Sequence, residues 1–358
     1  MANNAQTPRA LGFRMPGEFE AQEATWLAWP HNCEDWPGKF QPIPWVYTEI
    51  VRQLAKVQHV RILVNDEKQE KTAQRALKRA GANLEKVEFR RWQTDRVWTR
   101  DSGPIFVKND ATGETAILDW HFNAWAKYHN WQNDDQFPAR AAAALGKQSW
   151  QPVINSKPAD HRVVLEGGSI DVNGRGTMLT TEECLLSDVQ ARNPGCTREL
   201  LEQCFHEYLG VNHVIWLDRG IVGDDTHGHV DDITRFVSTD RIVTSVEPNT
   251  ADENHEILAE NLRRLKNARL QDGKQPDLVE LPMPAPVVFE GQRLPASYAN
   301  FLIANKIVLV PVFNDPNDRI ALNVLAEAMP DRTIIPIYCG DFVWGLGTIH
   351  CASQQQPK

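Results

Sequence analysis

VLEGGSIDVNGRGTMLTT, residues 164–181, reads as two short strands around a tight turn, with an acid, Glu166, at its entrance. SIDV and TMLTT are the strands, and NGRG supplies the asparagine and glycines that a tight turn favours. Outward in both directions the same unit recurs. GPIFV, KNDATGE and TAILDW form a hairpin before it; ITRFV, STD and RIVTSV, then NFLIA, NK and IVLVPV, form two more after it. The turn centres fall near residues 111, 174, 239 and 305, about 65 residues apart, and a period of that size indicates a repeated supersecondary unit.

Helical patterns lie between the hairpins at 197–209, 251–265 and 318–329, each with apolar residues at three-to-four spacing. The N-terminal third holds the apolar TWLAWP at 25–30, a helix over roughly 46–56, the strand VRILVN at 60–65, and a helix over 67–79 capped near Gly81. Residues 31–45, rich in Trp and Pro, read as an irregular exposed loop, either a lid or an interface. One more period past 305 runs off the chain. The fifth hairpin must then join the two ends, with GTIHCASQQQ (347–356) read as the strand that pairs with TWLAWP. Five units closed into a ring leave no open edge, and residues 1–358 then need no domain boundary.

The acids at the entrances share the period. Asp101 in WTRDSG, Glu166 in VLEGGS and Asp231 in GHVDD are spaced by 65 residues, and His229 stands two before the last. On an extended segment, alternation predicts His229 and Asp231 on one face. Each residue has a plain structural reading: Asp101 as a turn or cap acid, Glu166 as an acceptor at its glycines, His229 as a packed core imidazole. A metal site is a further reading of GDDTHGHVDD, which adds His227 and the acids Asp224, Asp225 and Asp232. Against it stands the lack of HExxH or another established ligand spacing. Taken together, paired carboxylates suit a planar guanidinium, held by charge-assisted hydrogen bonds. A thiol such as Cys351, poised over that plane as a thiolate, can attack its central carbon.

Composition narrows the classes. The 358 residues are 42% hydrophobic and 24% charged, as in an ordinary soluble globular protein, with no apolar run of membrane-spanning length. The N-terminus lacks a signal pattern, so the chain is read as cytoplasmic. Six scattered cysteines show no CxxC pair, so reduced thiols are expected. A net charge of −9 argues against nucleic acid or an anionic membrane as partner and suits a small cationic ligand.

The motifs MPGEFEAQEATWLAWP, WTRDSGP, LDWHFNAW, LEGGSIDVNG, GDDTHGHVDD, ASYANFLIANKIVLVPVFNDPND and GTIHCASQQQP run nearly the whole chain. In them the sequence resembles the agmatine deiminases, of the guanidino-group-modifying superfamily that also holds bacterial peptidyl-arginine deiminase. The resemblance implies an α/β fold, a five-bladed propeller of ββαβ units with pseudo-fivefold symmetry (a pentein). It implies no metal or organic cofactor, and a homodimer as the usual assembly. It makes Cys351 the nucleophile, His229 the general acid/base, Glu166 the group that orients His229, and Asp101 and Asp231 the guanidinium ligands. Asp225, Trp98 and Trp125 are candidates for the substrate's far end, with Trp120 as a further pocket wall. The chain departs from the commoner pattern in GLGTIHC, with its short glycine run, and in His227, where an acid is frequent. A different guanidino compound or peptidyl-arginine is therefore the alternative substrate, and a metal-dependent hydrolase the remote one. His350, next to Cys351 on the expected strand, should point away and pack.

Overall fold

The computed structural model describes residues 6–154 and 161–358; the first five residues of the N-terminal stretch lie outside it. The fold is mixed α/β, with several small sheets. Five of these share one pattern, an antiparallel pair followed by a strand parallel to its second member. Asp171–Val172 and Thr177–Thr181 form the antiparallel pair of the opening stretch, and His213–Leu217 adds in parallel. The same order holds for Ile105–Asn109, Thr115–Leu118 and Ser149–Trp150; for Thr234–Phe236, Arg241–Val246 and Asp277–Pro282; and for Leu302–Ala304, Ile307–Val312 and Thr333–Tyr338. A parallel step needs a crossover. The helices Phe137–Leu145, Arg198–Leu209, Asn254–Asn267 and Pro316–Ala328 supply it.

The crossover helices begin and end where their sequences dictate. In Arg198–Leu209, Thr197 accepts a hydrogen bond from the Leu200 N–H, and Gly210 closes the other end at φ 72°, a left-handed conformation suited to glycine. Leu201, Cys204, Phe205, Tyr208 and Leu209 form its buried stripe. Losing the Thr197 cap should cost about 1 kcal/mol.

The fifth sheet joins the two ends of the chain. Ser353–Pro357 pairs antiparallel with Gln22–Ala28, so that Trp26 lies opposite Gln354 and Leu27 opposite Ser353. Trp26 Nε1 also donates to Gln356 Oε1 at 3.0 Å. Gln22–Ala28 continues in parallel to His59–Val64 and then to Val87–Arg91, with helices Ile43–Leu54 and Glu67–Arg79 in the crossovers. This sheet therefore carries one helix and strand more than the repeat predicts.

Two expectations need correction. Residues 31–45 are not simply exposed: Trp36 is fully buried against Trp98 and Phe342 and donates to the Phe342 carbonyl at 2.8 Å, while Trp45 is 74% exposed. Cys351 does not lie on a strand. Residues 349–352 form a turn, closed by the Ala352 N–H on the Thr348 carbonyl at 3.1 Å, and the strand starts only at Ser353. No helix of the described residues is long and apolar enough to cross a membrane.

Candidate active site

Three short helical turns carry the three acids. Asp101 sits in Thr99–Ser102, Glu166 immediately precedes Gly167–Ser169, and Asp231 lies in Val230–Asp232. His229 and Asp231 do share a face as expected, but through a 3-10 turn and not by strand alternation. The turns converge on His229. Its Nδ1 is 3.7 Å from Asp101 Oδ1 and 4.0 Å from Asp231 Oδ1, and its Nε2 is 3.8 Å from Glu166 Oε2. These separations exceed hydrogen-bond length. Both ring nitrogens, Glu166 Oε2 and Asp231 Oδ1 are buried without a partner among the described residues. Buried polar atoms left unpaired cost about 1–3 kcal/mol each, so these four, on the two sides of the His229 ring, leave capacity for a further polar partner.

Gly168 permits this approach. Its N–H donates to Asp101 Oδ1 at 3.2 Å, and a Cβ there would lie 2.5 Å from His229 Nδ1 and 2.8 Å from Asp101 Oδ1. Gly347 does the same beside the thiol, where a Cβ would stand 2.9 Å from the Trp98 ring and 3.1 Å from Cys351 Cβ.

Because a turn rotates successive side chains by much less than the half-turn of a strand, His350 and Cys351 both reach the acids. His350 Nδ1 is 2.6 Å from Asp231 Oδ2, and Nε2 is 2.7 Å from Glu18 Oε2. His350 is buried and off the cavity wall, as a structural residue would be, but it is not inert packing: it holds Asp231 in place. Its bond occupies one oxygen of Asp231 and leaves Oδ1 open. Glu18 is bound in turn by Arg235 Nη2 at 2.5 Å and by the Ile303 N–H at 2.7 Å.

Burial and charge divide the titratable groups. Burial alone would push Glu166 up, but Arg192, whose Nε donates to Oε1 at 3.0 Å, brings it down to about 2. Burial also opposes ionisation of Asp231, yet the His350 bond holds it below the usual carboxylate range. Asp101 is pushed up to about 7 by burial, with His229 pulling it down and Asp231 pushing further up. Burial is the largest influence on the His229 imidazolium and disfavours it, but the Asp101 charge and the Cys184 and Glu166 contacts together outweigh it, and the ring is held well above its ordinary value. Burial and then the Asp231, Asp232 and Asp101 carboxylates drive the Cys351 thiol well upward. A cation placed among these acids would reverse the last effect.

Cys351 and Asp101 open onto a cavity of about 560 Å³ whose walls include Trp98, Trp125, Tyr128 and Asp225. All of the candidate substrate-binding residues except Asp231 are among its lining residues. Trp125 Nε1 donates to Asp101 Oδ2 at 3.1 Å, so this wall residue also aims the acid. Ala124, Trp125 and Ala126 hold φ values of 52°, 58° and 54°, a left-handed run that costs about 1–2 kcal/mol per residue and persists where its surroundings enforce it. Asp225 is already paired with Lys127 and accepts from the Tyr128 hydroxyl at 2.7 Å. Trp120 is no pocket wall; it packs edge-on against Tyr208 in a separate core cluster.

Two groups of donors are close enough to share a metal ion: Glu166, Cys184 and His229, and Asp231, Asp232 and Cys351. The first group shares Glu166 and His229, and the second Asp231 and Cys351, with the cluster described above, and Arg192 sets a fixed positive charge beside the first group.

The family model for the Porphyromonas-type peptidyl-arginine deiminases matches residues 14–357. The chain belongs to that family. It is 33% identical to the agmatine deiminase of Ectopseudomonas mendocina over 380 aligned residues, covering 100% of this chain and 99% of the relative. A solved agmatine deiminase of Enterococcus faecalis superposes with a TM-score of 0.90 at 32% identity, with 99% of each chain covered. A C. jejuni agmatine deiminase with a cysteine replaced by serine and substrate bound gives 0.84 at 29% identity, covering 97% of this chain and 96% of that one.

In this deiminase-family chain, His227 points elsewhere: Nε2 lies 3.2 Å from Ser187 Oγ and Nδ1 4.0 Å from Glu183, and the ring is not among the cavity walls. His227 therefore forms no part of the cavity wall. Sequence reasoning passed over Arg192, Asn300 and the role of His350. Arg192 lies in a loop with no motif, and its contact to Glu166 spans 26 residues. Asn300 lies inside the ASYANF motif, but its contact to Cys351 spans 51 residues.

Proposed function

We propose that this protein is a cysteine-dependent agmatine deiminase, converting agmatine and water to N-carbamoylputrescine and ammonia. The observation that carries the reading is the convergence of unpartnered buried atoms of His229, Glu166 and Asp231 beside the Cys351 cavity. Asp101 and Asp231 hold the guanidinium nitrogens by charge-assisted bonds. The Cys351 thiolate attacks the guanidinium carbon, and the His229 imidazolium gives its proton to one nitrogen, which leaves as ammonia. An amidino-cysteine remains. Neutral His229 then takes a proton from water, the resulting hydroxide adds to the same carbon, and the thiolate departs while the added hydroxyl loses its proton to solvent, giving the neutral ureido product. Glu166, anchored by Arg192, keeps the imidazole in place.

Agmatine is favoured over free arginine by the charges at the far end of the cavity. Its two cations, Arg96 and Lys127, are paired with Asp35 and Asp225, which leaves neither free for an amino-acid carboxylate. We also read the five sheets as blades of a five-bladed propeller with pseudo-fivefold symmetry, supported by their common strand order and the 65-residue spacing of the acids. Six free cysteines suit a reducing cytoplasm. The test is intact-mass analysis during turnover with agmatine, arginine and a peptidyl-arginine. An amidino adduct with agmatine that is absent in Cys351→Ser supports the reading; no turnover of any guanidino compound would overturn it.

A further inference from the structure

Asn300 is fully buried and immediately precedes the residue leading into strand Leu302–Ala304, next to the Cys351 turn. Its Oδ1 accepts from Thr348 Oγ1 at 2.6 Å and from the His350 and Cys351 backbone N–H groups at 3.1 and 3.4 Å. Only the oxygen end of a carboxamide can take three donors, so the amide orientation is set by its surroundings. The nitrogen end therefore faces Cys351 Sγ at 2.9 Å and Asp232 Oδ1 at 2.9 Å, one acceptor for each of its two hydrogens. Asp231 Oδ2 lies slightly farther from the same nitrogen, at 3.4 Å.

We propose that Asn300 is a catalytic residue, whose side-chain N–H donates to the Cys351 sulfur and stabilises its negative charge before and after attack. The proposal rests on Cys351 as nucleophile. The titratable groups facing the sulfur are Asp101 from Thr99–Ser102, Asp231 and Asp232 from Val230–Asp232, and Tyr47 from Ile43–Leu54, with His229 behind the acids. Burial and the three carboxylates oppose ionisation of the thiol, and the Asn300 bond acts in the other direction. When the thiol loses its proton to solvent, the electron pair stays on sulfur and the Asn300 hydrogen stays on nitrogen. When the thiolate later leaves the tetrahedral adduct, the same donor receives it. An amide suits the position because it donates without adding charge; a Lys would compete with the substrate cation for the acids.

The oxygen end offers a second, purely positional role, and the experiment must separate the two. Substrate-free full-length chain is treated with iodoacetamide across a pH series, and the modified fraction of Cys351 is followed by peptide mass. Asn300→Leu removes the donor at similar volume, Asn300→Ser withdraws it from reach, and Thr348→Val loosens only the oxygen-end clamp. The alkylation midpoint is expected to rise by about one pH unit or more in either Asn300 variant that circular dichroism shows to be folded, making alkylation about tenfold slower below the midpoint. Thr348→Val should leave the midpoint in place. With agmatine, kcat should fall at least about tenfold in the Asn300 variants, with KM changed much less. An unshifted midpoint in a folded Asn300 variant, or an equal shift in Thr348→Val, overturns the proposal. Because alkylation needs no substrate, this outcome is distinct from failure of the agmatine reading.

Discussion

Guanidinium binding should weaken as pH falls from about 7.5 to about 5.5, because Asp101 takes up a proton in that window. The perturbation is read in the Cys351→Ser variant, which keeps the acids but cannot form the thiol adduct. Burial holds the free Asp101 carboxyl at about 7, and only its ionised form makes a charge-assisted bond to a guanidinium nitrogen. With that midpoint the ionised fraction is about 0.76 at the upper pH and about 0.03 at the lower, a loss of roughly 25-fold in affinity, or about 1.9 kcal/mol. Of the groups on the cavity wall, Asp35 shares the window, pushed up to about 7 by burial, so the Asp101→Asn variant is needed to assign the effect. Glu166 and Asp231 are held below the usual carboxylate range by Arg192 and His350, against burial, and His229 is held well above its ordinary value. Titration calorimetry with agmatine in matched buffers measures the effect, and Asp101→Asn should remove most of the pH dependence along with most of the affinity. A change of less than about threefold, or a full pH dependence surviving in Asp101→Asn, would refute the reasoning.

Further outcomes follow from the same geometry. Glu166→Gln leaves the Arg192 guanidinium buried beside a neutral partner, and should destabilise the fold by about 3–5 kcal/mol as well as abolish turnover, measured by urea unfolding at neutral pH. Because the folded Glu166 carboxyl is depressed to about 2, its contribution is present above the ordinary carboxylate range and is lost as pH falls from about 4.5 toward 2; the stability gap between wild type and Glu166→Gln should narrow over that interval. Gly168→Ala forces a methyl against His229 and Asp101, and should lower kcat/KM at least about 100-fold while the circular dichroism spectrum is retained. Chelator should leave agmatine turnover unchanged and Cys351→Ser should remove it; activity that is chelator-sensitive yet survives in Cys351→Ser would restore the metal-dependent reading of the Glu166, Cys184 and His229 group.

Local periodicity carried the hairpins. Strand alternation, turn glycines and the 65-residue spacing are short-range patterns, and the pairs Thr177–Thr181 with Asp171–Val172 and Gln22–Ala28 with Ser353–Pro357 fall where they predict. The same spacing singles out Asp101, Glu166 and Asp231, because a repeated unit places equivalent residues at equivalent points, whereas Cys351 and the roles of all five candidates, His229 included, rest on the motif resemblance. What tertiary structure alone decided is how those side chains are held. His350 was expected to face away because its neighbour was assigned to a strand; a hydrogen bond from Ala352 to Thr348 makes a turn instead, and the imidazole swings onto Asp231. Arg192 reaches Glu166, and Asn300 reaches the Cys351 sulfur across 51 residues, through contacts that no local period encodes. A carboxylate's position can be counted along the chain, but its charge state depends on which buried donor the fold brings to it, and that is a property of packing in three dimensions.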